Sequence, residues 1–126
     1  MGSDKPLIMV VEDDAEMNQL QRELLAIHGM DSVPAYSGTE ALAVDADRKP
    51  DAILLDVMLP ELDGFETCIR LREKQQRSVP VIMLTAMDSD ECRQRGFAAG
   101  ADAYFIKPFD PDDVIKSLHV LLAKNQ

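Results

Sequence analysis

Leu7-Ile8-Met9-Val10-Val11-Glu12-Asp13-Asp14 is an unbroken apolar run that stops abruptly in three carboxylates. The run shows no polar/apolar alternation, which suits a strand buried on both faces of a parallel sheet. Two further stretches repeat the pattern. Ala52-Ile53-Leu54-Leu55 runs directly into Asp56, and Val79 to Leu84, with Pro80 near its start, runs into Thr85. Ser32 to Tyr36 and Ala103 to Ile106 are weaker strand candidates, the second followed by Lys107. Pro34 has no N–H to give to a ladder, which assigns the Ser32 strand to a sheet edge.

Helical patterns fill the gaps. Met17, Leu20, Leu24 and Ile27 recur at helical spacing, as do Val114, Leu118 and Leu121. Ser37-x-x-Glu40, Asp63-x-x-Glu66 and Asp88-x-x-Glu91 resemble capping boxes, in which the first side chain satisfies an orphan N–H. Asp110 before Pro111 gives a capping acid and a proline at the first helical position. Gly29 and Gly100 fall where helices should stop. Strand and helix thus alternate through five units, which means a parallel sheet with helices on both faces. Right-handed crossovers and the proline-bearing edge strand predict an α/β, flavodoxin-like (βα)5 doubly wound sheet of strand order 2-1-3-4-5.

Composition bounds the rest. The chain has 126 residues, 13 Lys+Arg against 23 Asp+Glu, and a formal net charge of -10. That length gives one domain, expected over residues 7–124, with residues 1–6 as a disordered segment or a cloning remnant. The acidic excess argues against nucleic acid and anionic membranes as direct partners. No apolar run approaches the ~20 residues of a membrane-spanning helix. Cys68 and Cys92 match neither a metal motif nor a disulfide framework, so a reduced, cytoplasmic domain is expected. Both read as small, partly buried helix residues, and His28 and His119 as structural helix residues. Phe109 and Tyr104 are candidates for partner docking wherever they are exposed.

In doubly wound sheets ligands sit beyond the carboxyl ends of the central strands. There the strand ends deliver Glu12, Asp13, Asp14, Asp56, Thr85 and Lys107 to one edge. Asp14 reads as a helix cap. Asp56 does not, because it stands seven positions before the Asp63 cap. Adjacent strands are ~4.8 Å apart, and two like charges ~4 Å apart repel by about 4 kcal/mol at an effective dielectric of 20. Lys107 offsets one charge; a hard divalent cation would offset two more. Mg²⁺ fits, since it is commonly held by one or two carboxylates with waters and substrate phosphate. A carboxylate beside Mg²⁺, an ammonium and a hydroxyl is placed to attack an activated phosphorus and form an acyl phosphate. Asp56 is assigned that role, because Asp13 shares its loop with Glu12 on the metal-binding side.

At these positions the chain resembles the receiver (CheY-like) domain of bacterial two-component response regulators. The resemblance rests on Val10-Val11-Glu12-Asp13-Asp14, Leu54-Leu55-Asp56-Val57-Met58-Leu59-Pro60 with Asp63-Gly64, Leu84-Thr85-Ala86, and Gly100-Ala101-Asp102 through Tyr104 to Lys107-Pro108-Phe109. It implies a phosphorylation-dependent switch rather than an enzyme, taking phosphoryl from a histidine kinase or phosphotransfer protein onto Asp56. It further implies Asp13, Asp56 and the backbone carbonyl of Met58 as direct Mg²⁺ ligands, with Glu12 acting through water. Lys107 is implied as the phosphate-contacting lysine, with a cis bond to Pro108, and Thr85 with Tyr104 as the switch pair. Met58 and Met87, two beyond Asp56 and Thr85, are apolar and cannot orient an attacking water, so a long-lived acyl phosphate is expected. The resemblance also implies a phosphorylation-dependent dimer through the fourth helix, fifth strand and fifth helix. Arg93 and Glu91 suit it, whereas Ala103, Ser117 and His119 stand where charged partners would be.

Three other readings compete. A flavodoxin-like FMN carrier would need a phosphate-cradling first loop, but Glu12-Asp13-Asp14 would repel the ligand. A Mg²⁺-dependent phosphatase with an aspartate nucleophile on the first strand would need Asp-x-Asp, which is absent there. A receiver-like interaction module that no longer accepts phosphate is the third.

Overall fold

The computed structural model describes residues 5–75 and 77–124. The segment expected at residues 1–6 therefore falls largely outside the described residues. Five strands and five helices alternate: β1 Leu7–Val11, α1 Ala15–Ile27, β2 Asp31–Ala35, α2 Gly38–Arg48, β3 Ala52–Leu55, α3 Gly64–Lys74, β4 Val81–Thr85, α4 Asp90–Ala99, β5 Ala103–Ile106 and α5 Pro111–Lys124. All pairings are parallel, in the order β2-β1-β3-β4-β5. This is the flavodoxin-like sheet expected from the alternation.

The apolar strands are explained by a core on each face. Met9, Val11, Ile53, Leu55, Val81 and Met83 pack with Phe65, Cys68 and Leu71 of α3. Their neighbours in sequence, Ile8, Val10, Leu54, Ile82 and Leu84, pack on the other side with Leu25 of α1 and Val114, Ile115 and Leu118 of α5. Side chains alternate faces along a strand, so two apolar faces leave no position for a polar residue.

Most capping signals hold. Ser37 accepts from Glu40 N and Asp63 from Glu66 N at the starts of α2 and α3. Asp14 caps α1 by accepting from Glu16 N and Met17 N, and Asp110 accepts from Asp112 N at 2.9 Å. Gly100, at φ 115, ends α4, and Gly29, at φ 79, follows the end of α1.

Several expectations shift. The cap of α4 is Ser89, accepting from Cys92 N at 3.1 Å, not Asp88. The Pro80 carbonyl accepts from Ile53 N at 2.9 Å, but Pro80 has no N–H of its own to extend the ladder, and β4 begins at Val81 rather than Val79. The edge strand starts one residue early, at Asp31. The larger difference is in α1. Of the four apolar residues at helical spacing, Leu24 is half-buried against the core, but Met17, Leu20 and Ile27 are exposed, and Asn18 and Leu25 are the buried residues. Asn18 takes the inward position because its amide has acceptors there. Its Nδ2 donates to the carbonyls of Val10 at 3.0 Å, Glu12 at 3.1 Å and Ala35 at 3.3 Å.

Candidate functional site

Sheet register determines what meets at the carboxyl edge. Val11 lies beside Leu55, Leu55 beside Met83, and Thr85 beside Ile106. The residues just past these ends, Glu12, Asp56 and Lys107, therefore reach the same edge. Their backbones extend the ladders: Glu12 N donates to Ala35 O, Asp56 N to Val11 O, and Lys107 N to Thr85 O.

The side chains converge on one ammonium. Lys107 Nζ donates to Glu12 Oε1 at 2.9 Å and to Asp56 Oδ2 at 3.1 Å. The other oxygens of these carboxylates accept backbone N–H groups, Glu12 Oε2 from Asp14 at 3.2 Å and Asp56 Oδ1 from Met58 at 3.0 Å. Glu12 and Asp56 are buried while Asp13 is exposed, and one carboxylate oxygen from each lies within 4.8 Å of the others. Three carboxylates face one ammonium, so the cluster carries an uncompensated double negative charge when all are ionised. Burial pushes the Glu12 carboxyl above its ordinary range, helped by the Asp56 charge and opposed by Lys107. Burial pulls the Lys107 ammonium down, but Glu12 and Asp56 outweigh it and raise the group overall. An all-oxygen acidic set with spare negative charge is the donor chemistry that a hard divalent cation takes.

The loop between β3 and α3 depends on a close approach. A Cβ at Gly64 would lie 2.4 Å from Asp56 O and 2.5 Å from Val57 Cα, so only glycine lets α3 begin against the end of β3. Gly64 N donates to Val57 O at 2.8 Å, fixing the turn that carries Met58. The Met58 side chain points into solvent and is 58% exposed. A cleft of about 560 Å³ beside Asp13 is lined by Met58, Leu59, Phe65, Met87 and Arg95, with the Arg95 guanidinium 4.3 Å from the Phe65 ring centroid.

Thr85 and Tyr104 are both buried. Tyr104 is thus not a docking residue in this conformation, and Phe109 is only half-buried. The two are joined through one residue. Thr85 Oγ1 accepts from Met87 N at 3.3 Å, and Tyr104 Oη donates to Met87 O at 2.7 Å. Burial is the main reason that the Tyr104 phenol is held above its usual range. Arg93 covers the ring, its guanidinium carbon 5.6 Å from the centroid.

Glu12, Asp13, Asp56, Met58, Thr85 and Lys107 lie at this edge, Tyr104 sits inside β5 and is linked to Thr85 through Met87, and the Lys107–Pro108 peptide is cis. The histidines do not join it. His28 ends α1 and His119 is exposed on α5. Sequence reasoning missed Asn18, which ties down the Val10, Glu12 and Ala35 carbonyls and is itself held by Arg22 at 2.8 Å. Its only signal is a polar residue at helical spacing from the acid loop.

Comparison with known proteins agrees with this geometry. The family described as the response regulator receiver domain matches residues 8–119. The chain is 37% identical over 120 residues to the DNA-binding dual master transcriptional regulator RpaA of Synechocystis, covering 94% of this chain and 50% of that protein. It is 40% identical over 119 residues to the response regulator MprA of Mycobacterium avium, covering 94% and 52% respectively. The chain therefore spans about half the length of these relatives. Among solved structures, the receiver domain of the Francisella response regulator 1452 superposes with TM-score 0.90 at 33% identity, covering 97% of this chain and all of that one. The BeF3-activated N-terminal receiver domain of Klebsiella pneumoniae RstA gives TM-score 0.86 at 38% identity, covering 92% and 97%. The match over residues 8–119 shows the class of domain that this sheet and acidic edge belong to: the chain is a member of the response regulator receiver family. Phosphorylation is typical of that family, and the Glu12–Asp13–Asp56 cluster is compatible with Mg²⁺. Among the described residues no helix is long and apolar enough to cross a membrane.

Proposed function

We propose that Asp56 is the phosphoacceptor of a cytoplasmic two-component switch and not the nucleophile of a turnover enzyme. The observation that carries this reading is the sharing of one ammonium, Lys107, between Asp56 and Glu12 at the edge where Asp13 and Thr85 also end. A carboxylate oxygen of Asp56 attacks the phosphorus of a phosphohistidine. The O–P bond forms as the P–N bond breaks, and the electron pair leaves with the imidazole nitrogen. Lys107 is placed to follow the new phosphoryl oxygens, and Thr85 to donate its hydroxyl proton to one of them. Glu12 (through water), Asp13, Asp56 and the Met58 carbonyl would hold Mg²⁺. Bound there, the ion neutralises charge on the phosphoryl oxygens.

The switch follows from the Met87 link. A Thr85 hydroxyl that turns to the phosphoryl group releases Met87 N, and Met87 O already holds Tyr104. New charge-assisted hydrogen bonds at Asp56 would in this way bias the ring and the start of α4. Met58 and Met87 both flank the site as apolar side chains, which supports slow hydrolysis of the acyl phosphate. Next to Lys107, exposed Met17, Leu20 and Ile27 form an apolar groove with Pro108 and Phe109, of about 700 Å³. It suits a histidine kinase or phosphotransfer protein that must bring its phosphohistidine over Asp56. RpaA, a DNA-binding regulator by name, supports a transcriptional output for the whole protein.

Intact mass spectrometry after acetyl phosphate and Mg²⁺ tests the reading. A single phosphoryl adduct that Asp56→Asn abolishes is expected; an adduct that survives the substitution overturns it.

A further inference from the structure

Gly96 lies within α4 and is buried against the Tyr104 ring. A Cβ at this position would stand 2.8 Å from Tyr104 Cδ2, 3.0 Å from Tyr104 Cε2 and 3.0 Å from Met83 Sδ. Non-bonded carbons prefer roughly 3.5–4.0 Å, so a methyl here cannot coexist with the ring where it lies. The helix gains nothing from glycine in its interior, where alanine is the better residue. Gly96 follows the regular path of α4 and is not among the residues at positive φ, so no unusual backbone conformation calls for it. What calls for it is the space taken by the ring.

We propose that Gly96 is a positioning residue for the switch. It leaves open the recess that Tyr104 fills when its hydroxyl is bonded to Met87 O. Any side chain at this position holds the ring out. That severs the link between Asp56 and the α4–β5 surface while leaving phosphoryl transfer intact. Of the two neighbours in the way, the Met83 thioether is flexible but sealed in the core, fully buried. The ring is the group that can leave, by giving up its packing in the core together with the Met87 bond and the Arg93 stack. The coupling half of this inference rests on Asp56 and Tyr104 acting as proposed above; the recess does not.

The chain has two tyrosines and no tryptophan, so Tyr36→Phe leaves Tyr104 as the sole reporter of tyrosine emission. In that background Gly96→Ala should raise acrylamide quenching of Tyr104 toward that of free tyrosine. The value should not change after acetyl phosphate and Mg²⁺, although the Asp56 adduct forms in full by intact mass. A second comparison separates the ring from general crowding. Gly96→Ala should lower the melting temperature when Tyr104 is present and raise it in a Tyr104→Ala background, where the space left by the ring lets the flexible Met83 thioether yield and the helix preference for alanine prevails. Tyr104 as shielded in Gly96→Ala as in its parent, or a lowered melting temperature in both backgrounds, would overturn the recess. Loss of the adduct in Gly96→Ala alone would overturn the claim that transfer is spared. An unmodified protein that takes no adduct on Asp56 would overturn the coupling half together with the phosphoacceptor reading, and the quenching and melting results would still decide the recess.

Discussion

Glu12, Asp13 and Asp56 show how a site can cost its fold stability. Two carboxylates ~4 Å apart repel by about 4 kcal/mol at an effective dielectric of 20, and one lysine cannot neutralise three acids. Removing one acid should therefore relieve the metal-free protein: Asp13→Asn is expected to raise its melting temperature in EDTA. Because Asp13 is exposed, part of its repulsion is screened, and the gain should be larger at low salt. Mg²⁺ at tenfold its Kd should add ~1.4 kcal/mol to the unmodified protein and less to the variant. Calorimetry with and without the ion checks both, and equal melting temperatures throughout would contradict a clustered site. These acids could be read from the sequence because Glu12 and Asp56 follow directly on apolar runs and Asp13 comes one residue later. Asn18, Gly64 and Gly96 could not, since what they do depends on backbone and ring atoms distant in the chain.

At the scale of the element, the helices were easier to place than to orient. Capping chemistry is local, so Ser37, Asp63 and Asp14 located three helix starts within a residue or so. At α4 the Asp88-x-x-Glu91 pattern pointed one residue early, because Ser89 offers an equally good oxygen and its geometry won. Ser89→Ala should cost ~1 kcal/mol in a denaturant melt, and Asp88→Ala much less. For α1 the apolar periodicity was real, but apart from half-buried Leu24 it belonged to an exposed face, because a polar side chain with three carbonyl acceptors filled the core-facing position. In α3, burial pushes the Cys68 thiol up to about 11 from an ordinary 9.0, with Asp102 adding to the shift and Arg72 opposing it. The folded thiol titrates above the unfolded one, so its contribution to stability is complete below pH 9.0 and is lost as pH rises toward 11. A rise of that size corresponds to about 2–3 kcal/mol. Urea melts between those limits should show this slope, and Cys68→Ala should flatten it.

For the whole molecule, the net charge of -10 divides into two populations. Many acids cap helices or sit on solvated faces. The few at the carboxyl edge are concentrated by topology, since the order β2-β1-β3-β4-β5 brings β1 and β3 together. That order could be read because fully apolar strands, alternating helices and one edge proline leave few other arrangements. The interior links, such as the Met87 bridge from Thr85 to Tyr104, could not, because nothing local marks a carbonyl as the partner of a ring seventeen residues on. The central claim is that Asp56 alone carries the phosphoryl group. Borohydride converts an aspartyl phosphate to homoserine, so peptide mapping of protein treated with acetyl phosphate and Mg²⁺ and then reduced reads the acceptor directly. Homoserine at position 56 and at no other acid is the expected result; homoserine at position 13, or none, would contradict it.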